Sequence, residues 1–108
     1  MNQLRNRVQL IGHLGKEIDY KELDDGNAIA RASIVTKEVH KDAAGERVVE
    51  LQWHNLVGWG AVANIMQVLL KKGKEVAIQG KLQHRTYEDK EGIKRFVSEV
   101  VIQEFMLL

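Results

Sequence analysis

At 108 residues, with 44% apolar and 29% charged side chains, the chain has the size and make-up of one globular domain, 1–108. Sixteen basic residues against fifteen acidic ones leave a net charge of +1, which excludes a uniformly basic domain and lets the distribution of charge decide. The absence of cysteine excludes disulfides, thiolate nucleophiles and the commonest structural zinc sites, and no apolar run is long enough to cross a bilayer.

The first seven residues, Met1 to Arg7, lack the apolar core of a signal peptide, so residence in the cytoplasm is expected. Val8 to Gly15 alternates and closes on Gly12 and Gly15, which predicts a first strand with a bulge or close backbone approach at Gly12. Lys16 to Asp25 is charged and weakly patterned, with a turn signal at Asp24-Asp25-Gly26-Asn27. Ala28 to Thr36 then sets Ala28, Ala30, Ala32 and Ile34 on one face and Ile29, Arg31, Ser33 and Val35 on the other. Lys37 to Arg47 is polar, with Asp42-Ala43-Ala44-Gly45 at its tip, and is expected as a long projecting hairpin loop carrying Lys37, His40, Lys41 and Arg47.

The next strand holds both tryptophans, Trp53 and Trp59, six residues apart. Six is an even step, so a strand points both indoles to one face, where they either fill a core or form a platform for stacking. After Gly60 the spacing turns helical over Ala61 to Lys72, with Val62, Ile65, Met66 and Leu69 as the apolar stripe and Gly73 as the stop. Lys74 to Tyr87 returns to period two. It gives Val76, Ile78, Gly80 and Leu82 to the core and Gln79, Lys81, Gln83, Arg85 and Tyr87 to a basic surface ending in an aromatic. Glu88 to Gly92 is a turn and Ile93 to Met106 the last strand, where Phe96 and Phe105 are core or interface candidates. From Lys71 to Arg85 five basic residues stand against one acidic residue, while Glu17 to Asp25 holds five acids and one lysine, so one end of the fold is expected to be electropositive.

Five strand regions with one helix between the third and fourth give an all-β fold with a single helix. This is the order of the oligonucleotide/oligosaccharide-binding (OB) fold, a five-stranded Greek-key barrel. An open split βαβ sheet is the rival, disfavoured because only one helix is predicted.

Four motifs, Asn6 to Gly15, Trp53 to Gly60, Leu70 to Gly73 and Glu75 to Leu82, resemble successive motifs of the bacterial single-stranded DNA-binding protein family. The resemblance runs in register from about Asn6 to Ile102 and continues through Arg95-Phe96 and Glu99 to Val101. It implies sequence-independent binding of single-stranded DNA in replication, recombination and repair, by a homotetramer or homodimer of barrels on the nucleoid. Trp53, Trp59 and Tyr87 fall at the family's base-stacking positions, and Arg7, Lys72 and Arg85 at basic positions on the nucleic-acid path. Lys37 and Lys41 on the long loop and Lys81 on the basic strand face complete the expected contacts. His54 matches a histidine that supports subunit assembly, and the N-terminal strand, through Val8 and Leu10, is the accompanying interface candidate.

Val39 stands where the family often has a stacking tryptophan, and Asn55 replaces a basic residue. Relatives usually continue into a flexible linker and an acidic tail that recruits partners, whereas this chain stops at Phe105-Met106-Leu107-Leu108. A truncated or tail-less member is expected, without tail-mediated partners.

Catalysis is the competing class. His13, His40, His54 and His84 with Asp19, Asp42 and Asp89 offer the donor types of a metal site or a general base. None sits at a recognised spacing, and there is no glycine-rich phosphate loop or nucleophile elbow, so no enzyme, cofactor or metal is expected. A third reading is a protein-interaction module of a restart or recombination assembly with weak nucleic-acid binding.

Overall fold

A computed structural model describes residues 4–108. In chain order its elements are β1 (Val8–Leu14), β2 (Asp19–Glu22), β3 (Ala28–Lys41), β4 (Arg47–Trp59), α1 (Ala61–Leu69), β5 (Glu75–Glu88) and β6 (Lys94–Leu107). The strands join as β1-β5-β6-β4-β3-β2, and β1 meets β3 again through His13↔Val35 and Leu14↔Ile34. That last pairing closes β1, β5, β6, β4 and β3 into the expected five-stranded barrel. All pairings are antiparallel except β4 with β6.

The expected position of the helix needs one correction. It lies between β4 and β5, because the charged segment left unassigned in the sequence contributes the four-residue β2, which lies along β3 from Asp19↔Arg31 to Glu22↔Ala28. The long loop is also corrected. β3 continues to Lys41 and β4 begins at Arg47, paired in unbroken register, so only residues 42–46 turn.

Three hairpins turn in the same way, at Leu23–Asn27, Asp42–Glu46 and Asp89–Ile93. In each, the first residue's N–H donates to the fifth residue's carbonyl, and the glycine at the fourth position donates back to the first carbonyl. Gly26, Gly45 and Gly92 hold φ of 84°, 82° and 78°, the left-handed region that a bulged hairpin turn requires. Asp42 and Asp89 add side-chain caps, each accepting two backbone N–H groups at 2.9 Å.

The core follows the sequence alternation. Ala28, Ala30, Ala32 and Ile34 of β3 face inward against Leu14, Leu56, Val76, Ile78, Val100 and Ile102. Small residues suit the close approach of a curved sheet. At Gly12 a Cβ would stand 2.1 Å from the Val35 carbonyl oxygen, so no side chain fits where β1 crosses β3. Ile34 is fully buried, and Ile34→Val is expected to lower stability by about 1 kcal/mol through lost burial and a methyl-sized void. An unchanged urea midpoint would show that the site collapses around the smaller side chain.

Helix α1 caps the barrel with a different face from the one expected. Ala63 and Met66 are buried, Val62 packs partly against the core, and Ile65 and Leu69 are exposed. The reason is steric: β4 presents Gly58, whose missing Cβ would lie 2.3 Å from the Met66 sulfur, so the helix seats where backbone and small residues meet. It ends at Leu69. Leu70 is extended and buried, Gly73 belongs to the Lys71–Lys74 turn, and no basic residue lies in the last helical turn. Leu82, expected in the core, is also half exposed, because the pairing of β5 with β1 ends at Gly80 and leaves Leu82 without a strand on that side.

Candidate nucleic-acid interface

Residues opposite one another in a sheet share a face. Pairing therefore collects one outward surface across four strands. On β4 it holds Trp53, Asn55, Val57 and Trp59, opposite Val35, Ser33, Arg31 and Ile29 of β3. The parallel pairs Asn55↔Glu99 and Val57↔Val101 carry it onto β6, and Gln83↔Glu99, Arg85↔Val97 and Tyr87↔Arg95 carry it onto β5. The tryptophan face and the basic β5 face, read separately in the sequence, are one continuous surface.

Both indoles reach solvent, Trp53 at 61% and Trp59 at 47% exposure, and Tyr87 does so at 47%. The core reading of the tryptophans is thereby set aside. Six strand residues separate the indoles by about 20 Å, so each offers its own stacking surface. The Trp53 ring lies over Gly15, where a Cβ would stand 2.1 Å from Cζ3. The Arg85 guanidinium lies 5.6 Å from the centre of the Tyr87 ring, within cation–π range.

The β3–β4 hairpin extends this surface. Its outward face carries Lys37, Val39 and Lys41 opposite Leu51, Val49 and Arg47, so cations alternate with exposed aliphatic side chains beyond Trp53. Its reverse carries Glu38, Glu50 and His40. His40 Nε2 lies 2.9 Å from Glu50 Oε1, and that carboxylate, followed by the Lys41 backbone, raises the imidazole pKa above its ordinary value. A raised folded pKa favours the protonated pair, so its contribution is present below pH about 6.5 and is lost as the pH rises through the folded value. Glu50→Gln is expected to lower the His40 midpoint in an NMR titration. Identical midpoints in the two proteins would count against this pairing in solution.

The remaining expected contacts are less uniform. Lys81 lies on the outward face of β5 opposite Val101. Lys72 sits in the turn after the helix, tied to β1 by the Gly73 N–H donating to the Leu14 carbonyl at 2.8 Å, next to the glycine beneath Trp53. Arg7 stands apart at the start of β1, where its guanidinium donates to the Gln79 side chain. Val8 and Leu10 turn inward, partly packed against this chain's own core, while Ile11 is the exposed apolar residue of β1. His54 is half-buried on the inward face of β4, its Nε2 2.9 Å from Thr36 Oγ1. Phe105 packs against the core and Phe96 projects into solvent.

Arg31 and Glu99 went unassigned in the sequence. Glu99 is buried on the outward surface, accepting from Arg31 Nη1 at 3.2 Å, Arg85 Nε at 2.9 Å and Gln83 Nε2 at 3.2 Å. The signal available for Arg31 was its charge within a stretch, Ala28 to Val35, otherwise made of apolar and small residues. Among the described residues no three His, Asp or Glu side chains come together as metal ligands, and no helix is long and apolar enough to cross a membrane. Chemically, the surface offers exposed aromatic rings to flat groups and a row of cations to anions.

A profile of the Single-strand binding protein family matches residues 5–108. "Single-stranded DNA-binding protein 1" of Chlorobaculum tepidum is 38% identical over 104 residues, which are 95% of this chain and 64% of that protein. The protein of the same name from Xylella fastidiosa is 36% identical over 95% of this chain and 76% of its own length. This chain thus spans less than two thirds of the first of these relatives. In shape it is similar to a chain of a "Plasmodium falciparum SSB complex with ssDNA", with a TM-score of 0.86 at 27% identity over 95% of this chain and 94% of that one. A deletion mutant of the single-stranded DNA binding protein from Thermus aquaticus gives 0.83 at 26% identity, over 95% of this chain and 50% of the other. With the barrel, its outward aromatics and a family match over nearly the whole chain in hand, the chain belongs to the single-strand binding protein family.

Proposed function

We propose that residues 1–108 act as one domain that binds single-stranded DNA without regard to sequence. Bases stack on Trp53, Trp59 and Tyr87, and phosphates are neutralised by Lys37, Lys41, Lys72, Lys81 and Arg85, with Arg7 at the margin. The observation that carries the reading is the exposure of all three aromatics on one continuous surface among those cations, outside the core that would otherwise claim them. Stacking is tolerant of sequence because every base has a π face, and phosphate contacts make binding fall with salt. The relatives' names and the single-strand complex of similar shape support the same ligand.

Titrating the intrinsic tryptophan fluorescence with poly(dT) tests the proposal. Strong quenching at low salt, weakening as salt is added, is expected; no quenching at low salt would reject it. Binding is passive in this reading, so DNA stays intact on long incubation with magnesium or manganese, and degradation would favour a nuclease.

The proposed setting is replication, recombination and repair on the cytoplasmic nucleoid. A single barrel covers a short stretch of strand, and joined copies gain through effective concentration, so a homotetramer or homodimer is the proposed assembly. Among the described residues, β1 over Val8 to Gly12 has a strand partner only in β5, which leaves its other edge to pair with a second copy. Val8 and Leu10, whose side chains turn inward, are the proposed contacts through that backbone edge, and His54 is the proposed side-chain contact. Sedimentation of the free protein at the mass of one chain would exclude this assembly.

A further inference from the structure

Glu99 holds a carboxylate at 3% exposure, with both oxygens engaged. A buried carboxylate is tolerated only when it is paired and hydrogen-bonded, and here two arginines from different strands do this for one acid. Against Glu99 alone one guanidinium is in excess, and with Asp19 and Lys16 counted the cleft still carries one more cation than carboxylates. Among the described residues' hydrogen bonds, Arg31 uses only Nη1 and Arg85 only Nε, so most of their donors have no protein partner. These two side chains and Glu99 line a cleft of about 240 Å³ together with Lys16, Asn55 and Tyr87. Asp19 also lines it, so three cations meet two carboxylates.

We propose that this cleft seats one nucleotide of a bound single strand, with its phosphate shared by Arg31 and Arg85 and its base against Tyr87. Glu99 is a positioning residue: it fixes both guanidinium groups so that their free N–H donors meet one phosphodiester. Paired N–H donors of a guanidinium match the oxygens of a phosphate, which a lysine at either position could not reproduce. Holding the arginines from beneath also removes rotamer freedom that would otherwise be lost on binding. The inference rests on the proposed single-strand binding and adds Arg31 and Glu99 to it.

The test uses the whole chain and a fluorescein-labelled oligo(dT), read by anisotropy across a salt series. Arg31 is half exposed, so Arg31→Met keeps its stem and the fold. It is expected to make the slope of log K against log salt shallower by about 0.7, the loss of one single-strand phosphate contact, which reduces the fall in affinity between 50 and 200 mM salt by about 2.6-fold. Glu99→Gln separates positioning from charge. It raises the net charge by one, so bulk attraction alone predicts tighter binding, whereas loss of positioning predicts weaker binding and a shallower slope. Wild-type slope and affinity in Arg31→Met, or tighter binding by a folded Glu99→Gln, would overturn the inference while leaving the proposed function standing. Should Glu99→Gln fail to fold, Arg31→Met decides alone. Absence of binding by the wild-type chain would remove both.

Discussion

Trp53→Ala is expected to weaken binding to oligo(dT) by about 1–3 kcal/mol, roughly fivefold to more than a hundredfold, and by more than Trp59→Ala or Tyr87→Ala. Three observations single out Trp53. It is the most exposed of the three rings. It stands where the barrel surface passes into the projecting hairpin, paired with Val35 and followed along β4 by Leu51 and Val49, so a strand crossing either region passes over it. Its ring also rests on Gly15, which presents one indole face to solvent before ligand arrives and lowers the entropy lost on stacking. Trp59 is half covered next to the start of α1, and Tyr87 already has the Arg85 guanidinium within cation–π range, so each has less to offer a base. Because the substitution removes a fluorophore, a labelled oligonucleotide followed by anisotropy is the appropriate measurement. Equal affinities for the three alanine variants would refute the ranking.

What the sequence made legible follows from what period two can carry. Alternation in Lys74 to Tyr87 separated core from surface at every assigned residue but Leu82, because β5 has one wet face, whereas in Ala28 to Thr36 it found the inward face but Ile29 and Ser33 of the other face are buried too. Alternation also placed both tryptophans together. It could not join that face to Lys81, Gln83, Arg85 and Tyr87, since the link is the parallel pairing of β4 with β6, and contacts such as Arg31 with Glu99 span 68 positions. The long hairpin read as a loop because both of its faces meet water, so no apolar alternation marks it; its strands are held by cross-strand pairing from a well-formed turn at Asp42. The helix was placed but turned wrongly. Its apolar residues surround much of the circumference, and the face that packs is chosen by Ala63 and by the glycine opposite Met66, which a stripe of large residues does not reveal.

Gly15→Val is expected to weaken binding nearly as much as Trp53→Ala, although Gly15 carries neither charge nor ring. A Cβ there would stand 2.1 Å from Trp53 Cζ3 and 2.9 Å from Cη2, closer than such atoms approach, while the Ser33 hydroxyl at 3.2 Å needs only a small shift. The backbone at Gly15 is outside the left-handed region, so a side chain introduces no φ strain. What yields is therefore the indole. Being largely exposed, it swings away with little effect on the fold, and the thermal midpoint should stay near that of the parent. Binding then loses a preorganised stacking surface, and the tryptophan emission of the free protein should shift toward that of a more hydrated indole. A double-mutant cycle separates this account from a general disturbance of β1. If Gly15 acts through Trp53, adding Gly15→Val to Trp53→Ala weakens binding no further; if the two losses add, Gly15 serves the surface by another route and the indole does not depend on it.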